Sequence, residues 1–229
     1  MTIGEGVFVR VPNWIDQLPL DARTALQMAM QSRAFPRGAL IYNRTEKPGG
    51  LYLIRSGSAL FQIDGANGKR LLLKIVRENE LFGEIVAYDG KPAPIAVEAR
   101  SLLSTDFIPA ARLEQLRGVY PEIDKALATV ATQNLRAALA AIEELCLMDL
   151  HQRAVVCLKR LCVDANDPSE NNIRLDITQT EFASMLGASR QATNKILGQL
   201  ERNKLLKRNF RFLECTPIFK RELNPVTVE

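Results

Sequence analysis

The stretch TQTEFASMLGASRQATNKI, residues 178–196, constrains this chain more than any other. It reads as two short helices joined by a Gly-Ala-Ser turn. Thr178 stands three residues before Glu181, the spacing of a capping box in which hydroxyl and carboxylate each accept a backbone N–H of the first turn. Phe182, Met185 and Leu186 then recur at i, i+3 and i+4 and give one apolar face. Gly187 supplies the permissive backbone at the bend, and Ser189 suits the N-cap of the second helix. That helix turns Ala192, Ile196, Leu197 and Leu200 inward and leaves Arg190, Gln191, Thr193, Asn194 and Lys195 near its exposed start. In a helix-turn-helix, the start of the second helix lies against base edges in the major groove. Arg and Lys match guanine there, and Gln and Asn match adenine. The pattern therefore points to a DNA reader.

Two packed helices with a glycine turn also occur in all-α proteins that never touch DNA, and charge separates the two readings. From Arg190 to Arg211, seven basic residues (Arg190, Lys195, Arg202, Lys204, Lys207, Arg208, Arg211) stand against one acid, Glu201, a net of +6 where the whole chain carries only +4. Charge gathered on one segment suits a phosphate-contacting surface. The run KRNFRFLEC, 207–215, roughly alternates polar and apolar residues, with Asn209 as a turn. It predicts a short β-hairpin beside the helices, a wing. Lys207, Arg208 and Arg211 on the wing, with Lys204 before it, would reach the phosphates and fix register without reading sequence. Thr178, Gln179 and Ser189, at the two helix starts, complete the DNA-binding candidates.

A chain of 229 residues that is 47% hydrophobic and 24% charged has the composition of a globular protein of one large or two modest domains. Its first residues, MTIGEGVFVRVPNW, hold no basic stretch followed by an apolar run, so no secretory signal is expected. No segment approaches the uncharged length of a membrane span, so a cytoplasmic protein with no membrane partner is expected. The cysteines Cys146, Cys157, Cys162 and Cys215 form no C-x2-C pair, and three of them fall on apolar helix faces; buried, reduced thiols are expected. His151 is the single histidine, so no metal site is expected. A Cys146/His151 nucleophile pair has nothing to orient it, and no acid–base constellation accompanies it, so no enzyme activity is expected.

Upstream, Trp14 to Met30 reads as a helical entry with Leu18, Leu20, Leu26 and Met28 on its apolar side. From Phe35 to Phe107 come short β-type runs: GALIYNR, GGLYLIRSGSALFQID, KRLLLKIV, LFGEIV and IAVEARSLLSTDFI. Turn signals separate them at Pro36-Arg37-Gly38, Pro48-Gly49-Gly50, Ser56-Gly57, Asp64-Gly65-Ala66-Asn67-Gly68 and Asp89-Gly90, which predicts a sandwich or jelly-roll. Pro121 then opens a segment free of Gly through Met148. Leu127, Ala128, Ala131, Leu135, Ala138, Leu139, Ile142, Leu145 and Cys146 make an apolar stripe along it. Such a helix, roughly 40 Å long, either covers the β domain or pairs with a copy of itself, and a two-fold DNA reader needs the second. Asp149 marks a hinge and caps a helix over 150–163; the polar stretch through 172 reads as a loop, and IRLDIT, 173–178, as a strand. The fold expected is α+β: an N-terminal β jelly-roll, cupin-like domain (1–120), a long dimerisation helix (121–148) and a C-terminal winged helix-turn-helix (149–229).

This order resembles the Crp/Fnr family of bacterial transcription regulators. GLYLIRSGSA (50–59), LFGEIVAYDGKP (81–92), LMDLHQR (147–153) and ITQTEFASMLGASRQATNKILGQLERNKLL (177–206) carry the resemblance, which spans roughly Asn13 to Arg221. It implies a homodimer on a two-fold symmetric promoter site, with an N-terminal effector-sensing domain, Arg190, Gln191 and Lys195 at base-contacting positions, and RNA polymerase as a partner. The pocket candidates are Gly83, Glu84, Ile85, Lys91, Ala93 and Pro94. In cyclic-nucleotide-binding members an FGE motif supplies a Glu for the ribose, and a following Arg and small hydroxyl residue hold the phosphate. Gly83 and Glu84 match, but the Arg and hydroxyl positions read Ala93 and Pro94. A desolvated phosphate needs a charge partner or several donors. Ala93 has no side-chain donor, Pro94 lacks even its N–H, and Lys91 is the one nearby cation proposed to substitute.

Weak or no cyclic AMP binding follows, and Glu84 is equally readable as a carboxylate holding its own turn. The family's iron–sulfur cluster is not expected, because no cysteine precedes Cys146. Haem is unsupported, because the β domain has no histidine. Another small molecule, or a permanently competent dimer, remains as the mode of control. The rival reading is a small-molecule-sensing regulatory module that does not itself read DNA sequence.

Overall fold

The computed structural model describes residues 13–47, 49–65, 68–165 and 172–219. The turn residues Pro48, Ala66 and Asn67, and 166–171 of the expected polar loop, lie outside the described residues. The architecture is α+β, and the chain divides into two compact units: the first holds residues up to Asp64 and Leu73–Ala141, and the second holds the segment ending at Leu72 and the chain from Ile142.

The first unit is a β-roll of two four-stranded sheets. One has the order β1 (Gln31–Phe35), β8 (Leu103–Pro109), β3 (Gly50–Ser56), β6 (Leu81–Phe82); the other has β2 (Leu40–Tyr42), β7 (Ala96–Ala99), β4 (Ser58–Asp64), β5 (Arg70–Arg77). Side chains alternate across a strand, and β3 uses both faces. Tyr52 and Ile54 enter a core with Tyr42, Val76, Phe82, Val97, Leu103 and Phe107, drawn from both sheets. Leu51 and Leu53 point the other way, into a second core with helical residues. Those helices are a single 3-10 turn (Trp14–Gln17), α1 (Leu20–Met28), α3 (Ala110–Val119) and the start of α4 (Pro121–Leu147).

Two elements differ from the sequence expectation. The run LFGEIV is a strand only through Phe82. Gly83, at φ 91°, turns the chain into α2 (Glu84–Asp89), and a Cβ there would lie 2.5 Å from the Gly50 carbonyl oxygen. The helix α3 was not foreseen. It follows Pro109, lacks a side-chain cap, and buries only Leu113 and Leu116, so its apolar period is faint.

The long helix also corrects one residue. Leu127 is not on the exposed seam; it is buried with Ile123 and Val130 in the core of the first unit. Leu135, Leu139, Ile142 and Leu145 remain 51–60% exposed. Cys146 is exposed as well, against the expectation of a buried thiol, whereas Cys157, Cys162 and Cys215 are buried.

In the second unit, Asp149 and Gln152 accept each other's backbone N–H at 2.9 Å and start α5 (Leu150–Ala165). Arg160 on α5 pairs with Glu144 near the end of α4. A three-stranded sheet of order β10 (Leu206–Arg208), β11 (Leu213–Cys215), β9 (Ile173–Leu175) accompanies α6 (Gln179–Met185) and α7 (Arg190–Arg202). Cys162 on α5 and Cys215 on β11 meet in its interior. Among the described residues, no helix is long and apolar enough to cross a membrane, and no group of three or more His, Cys, Asp or Glu could hold a metal ion.

Candidate nucleic-acid interface

The two short helices start as their sequence dictates. The Thr178 hydroxyl accepts the Glu181 N–H at 3.1 Å while the Glu181 carboxylate accepts the Thr178 N–H at 2.8 Å, a complete capping box. The Ser189 hydroxyl accepts the Ala192 N–H at 3.1 Å and opens α7. Gly187 stands between them at φ 60°, where a side chain would be strained.

On α7 the buried residues Thr193, Ile196, Leu197 and Leu200 occupy one arc. Arg190, Gln191 and Lys195 are exposed on the other side, and Asn194 is half-buried between them. Thr193 corrects the sequence expectation. It lies three and four residues before Ile196 and Leu197, hence on their stripe, and it is fully buried. It cannot touch a base from there. The Asn194 Oδ1 is also buried and without a hydrogen-bond partner among the described residues.

The wing is a hairpin of β10 and β11 whose apex is closed by the Asn209 N–H donating to the Phe212 carbonyl at 3.1 Å. Lys204 precedes it, exposed and at φ 59°, with its carbonyl accepting the Thr216 hydroxyl at 2.7 Å. Arg211 is exposed, and Lys207, 63% exposed in its side chain, stands 3.5 Å from Glu214. Arg208 is occupied differently. Its Nε and Nη2 reach Glu201 on α7 at 2.7 and 2.6 Å, and its N–H reaches the same carboxylate at 3.0 Å. These bonds hold the Glu201 carboxyl below the usual carboxylate range. Arg208 therefore clips the wing to the second helix, and the acid counted against the basic patch serves as its anchor. Gln179, half-buried, donates to the Asn209 carbonyl at 3.5 Å and ties the wing apex to the start of α6.

In the β-roll the six pocket candidates separate. Gly83 and Ala93 are buried, while Ile85, Lys91 and Pro94 are exposed. Lys91 is turned to Asp89, 4.0 Å away, and so offers no cation to the interior. The Ala93 N–H is already given to the Glu46 carbonyl at 2.8 Å. Glu84 points inward and accepts the Asn134 Nδ2 of α4 at 2.9 Å. Burial raises its pKa, against the pull of its own backbone N–H, Lys74 and Asn134. Tyr42 is raised too, by burial and then by the charge of Glu84. The interior beside them is aromatic, with Tyr52 stacked on Phe82 at 4.8 Å and Phe107 at 4.7 Å from Tyr52. Asn134 is not among the residues the sequence points to; its signal is an amide seven residues after Leu127 and eleven after Ile123, on the buried side of α4.

A winged helix-turn-helix with a cationic outer face defines a DNA-binding protein, and known proteins agree. The family model for the cyclic nucleotide-binding domain matches residues 32–119, and that for the Crp-like helix-turn-helix domain matches residues 147–215. The CRP-like cAMP-activated global transcriptional regulator of Mycobacterium tuberculosis is 29% identical over 180 residues, 77% of this chain and 80% of that protein. Two solved structures share the fold. The c-di-GMP responsive global regulator CLP of Xanthomonas campestris has a TM-score of 0.72 at 20% identity, covering 86% of this chain and 99% of that one. FixK2 from Bradyrhizobium japonicum has a TM-score of 0.74 at 16% identity, covering 87% and 99%. The chain belongs to the Crp/Fnr family of transcription regulators, whose members here are regulators and not enzymes.

One expectation follows from the raised Glu84 pKa. Folding favours its protonated form, so the stability it contributes is fully present below the unfolded pKa and is lost as pH rises through the folded value. Glu84→Gln keeps an acceptor for Asn134 and removes that loss. Thermal melts should place the variant above the wild type near about pH 8, with the gap closing towards about pH 4, around the unperturbed carboxyl value. A gap that does not change with pH would contradict this assignment.

Proposed function

We propose that this chain is a cytoplasmic, homodimeric, sequence-specific DNA-binding regulator that acts on a two-fold symmetric promoter site. The observation that carries the reading is the outer arc of α7, where Arg190, Gln191 and Lys195 stand exposed behind the Ser189 cap. Side chains at the start of such a helix reach base edges, and Arg or Lys discriminates guanine while Gln discriminates adenine. Lys204, Lys207 and Arg211 supply the phosphate contacts that set register. Dimerisation is supported by the seam of Ala131, Leu135, Ala138, Leu139, Ile142 and Leu145. Ala131, Leu135, Ala138, Ile142 and Leu145 follow alternate steps of four and three residues with Leu139 beside them, and the large members are more than half exposed in the single chain. Pairing two copies would set two α7 helices about 34 Å apart, one turn of the duplex.

The sensing domain is proposed not to hold cyclic AMP in the usual way. Ala93 has already spent its N–H, Pro94 has none, and Lys91 faces Asp89. The Glu84 carboxylate is engaged by Asn134 of α4. These occupied and missing donors support a regulator that does not hold a cyclic phosphate at Ala93 and Pro94. Titration calorimetry with cyclic AMP is expected to give no saturable heat, and a tight stoichiometric site would reverse the proposal.

The DNA reading is tested by selecting bound duplexes from a random pool and measuring variants on the winner. Arg190→Ala should cost ~1–3 kcal/mol and relax preference at one position per half-site, while Lys207→Ala should weaken all duplexes alike and lower the salt slope by about 1. Identical behaviour of the two variants would count against the division into reading and positioning residues.

A further inference from the structure

Phe210 is 90% exposed, the most exposed of the large hydrophobic side chains among the described residues. It stands at the apex of the wing, between Asn209 and Arg211. Its neighbour in the same turn, Phe212, is covered by Arg174, whose guanidinium lies 4.1 Å over the ring. Leu206 at the hairpin's base and Leu213 just after its turn are buried. One aromatic is thus used to fix the hairpin, and the other is presented outward.

The mount beneath Phe210 is firm. Arg208 clips β10 to Glu201, Asn172 and Glu214 join β9 to β11, and Gln179 holds the Asn209 carbonyl. An exposed apolar group on a firm support has little order left to lose on binding. The surroundings are cationic: Arg211 follows it directly, and Lys207 lies on the same hairpin. An apolar tip among cations is complementary to a surface that is anionic outside and apolar within. The duplex minor groove has that character, with phosphates at its rim and sugars and stacked bases inside. Aromatic and aliphatic side chains are known to wedge between base steps there and bend the duplex.

We propose that Phe210 is an apolar wedge that enters the minor groove flanking each half-site, so that the wing senses how readily the flanking step unstacks. This rests on the DNA reading above and adds to it a specificity-determining residue that touches no hydrogen-bonding base edge. Flexible pyrimidine–purine steps would be preferred beneath it, since they kink most easily.

The test uses the full chain and the duplex that the wild type selects from a random pool, labelled at both ends for energy transfer. Phe210→Ala should lower affinity roughly tenfold, within the range of base–aromatic contacts, and reduce the bend. The slope of log K against log salt should stay unchanged, because no phosphate contact is removed. Phe210→Leu should keep most of the bend. Reselection with Phe210→Ala should lose the flanking pyrimidine–purine preference. Wild-type affinity, bend and flanking preference in Phe210→Ala would overturn the proposal, including the case in which only transcription with added polymerase falls and the tip is a protein contact. Failure of the wild type to retain any duplex selectively would instead overturn the DNA reading on which it stands.

Discussion

One uninterrupted helix, α4, has two apolar tasks, and the rest of the molecule is arranged around that constraint. Ile123, Leu127, Val130 and Ala137 form its buried stripe. Leu135, Leu139, Ile142 and Leu145 form a second stripe, displaced by roughly 100° around the axis at 3.6 residues per turn, and this one is left open. The first stripe fastens the helix to the β-roll; the second is free to take a copy of itself. Asn134 falls on the first stripe, which is why its amide meets the half-buried Glu84 carboxylate. The anchor to the β-roll and the proposed pairing surface are therefore two faces of one rod.

The same economy of position governs the second unit. On α7 the arc that faces inward must be apolar, so a hydroxyl caught on it, Thr193, is withdrawn from any ligand. The opposite arc is free to carry Arg190, Gln191 and Lys195. One ion pair, Arg208–Glu201, clips the wing to α7 and commits a cation to structure, while Lys204, Lys207 and Arg211 stay outward. Net charge alone cannot distinguish these two uses of a basic residue; partner geometry does.

Local chemistry made much of this legible in the sequence. The capping box at Thr178, the cap at Ser189, the αL glycine at Gly187 and the Asp149 start of α5 are short-range features, each contained within four residues, and each stands in the structure as its spacing requires. Features that depend on a distant element were not legible. Leu127 matched the periodicity of the outer seam because two adjacent stripes blur into one when read along a helix, and only the packing of α1 and α3 separates them. The turn of LFGEIV into α2 depends on the φ of Gly83 beside Gly50, a contact over more than thirty residues. The withdrawal of Lys91 to Asp89 and the engagement of the Ala93 N–H by Glu46 likewise needed coordinates.

The central claim is that two chains join through the open stripe of α4 and so present two reading helices to one symmetric site. Sedimentation velocity of the protein with a labelled duplex, comparing wild type with Leu139→Glu, tests it most directly. The account predicts two wild-type chains per duplex, and single chains without stable complexes for the variant. A wild-type complex of one chain per duplex, or a variant that still sediments as a dimer on DNA, would contradict it.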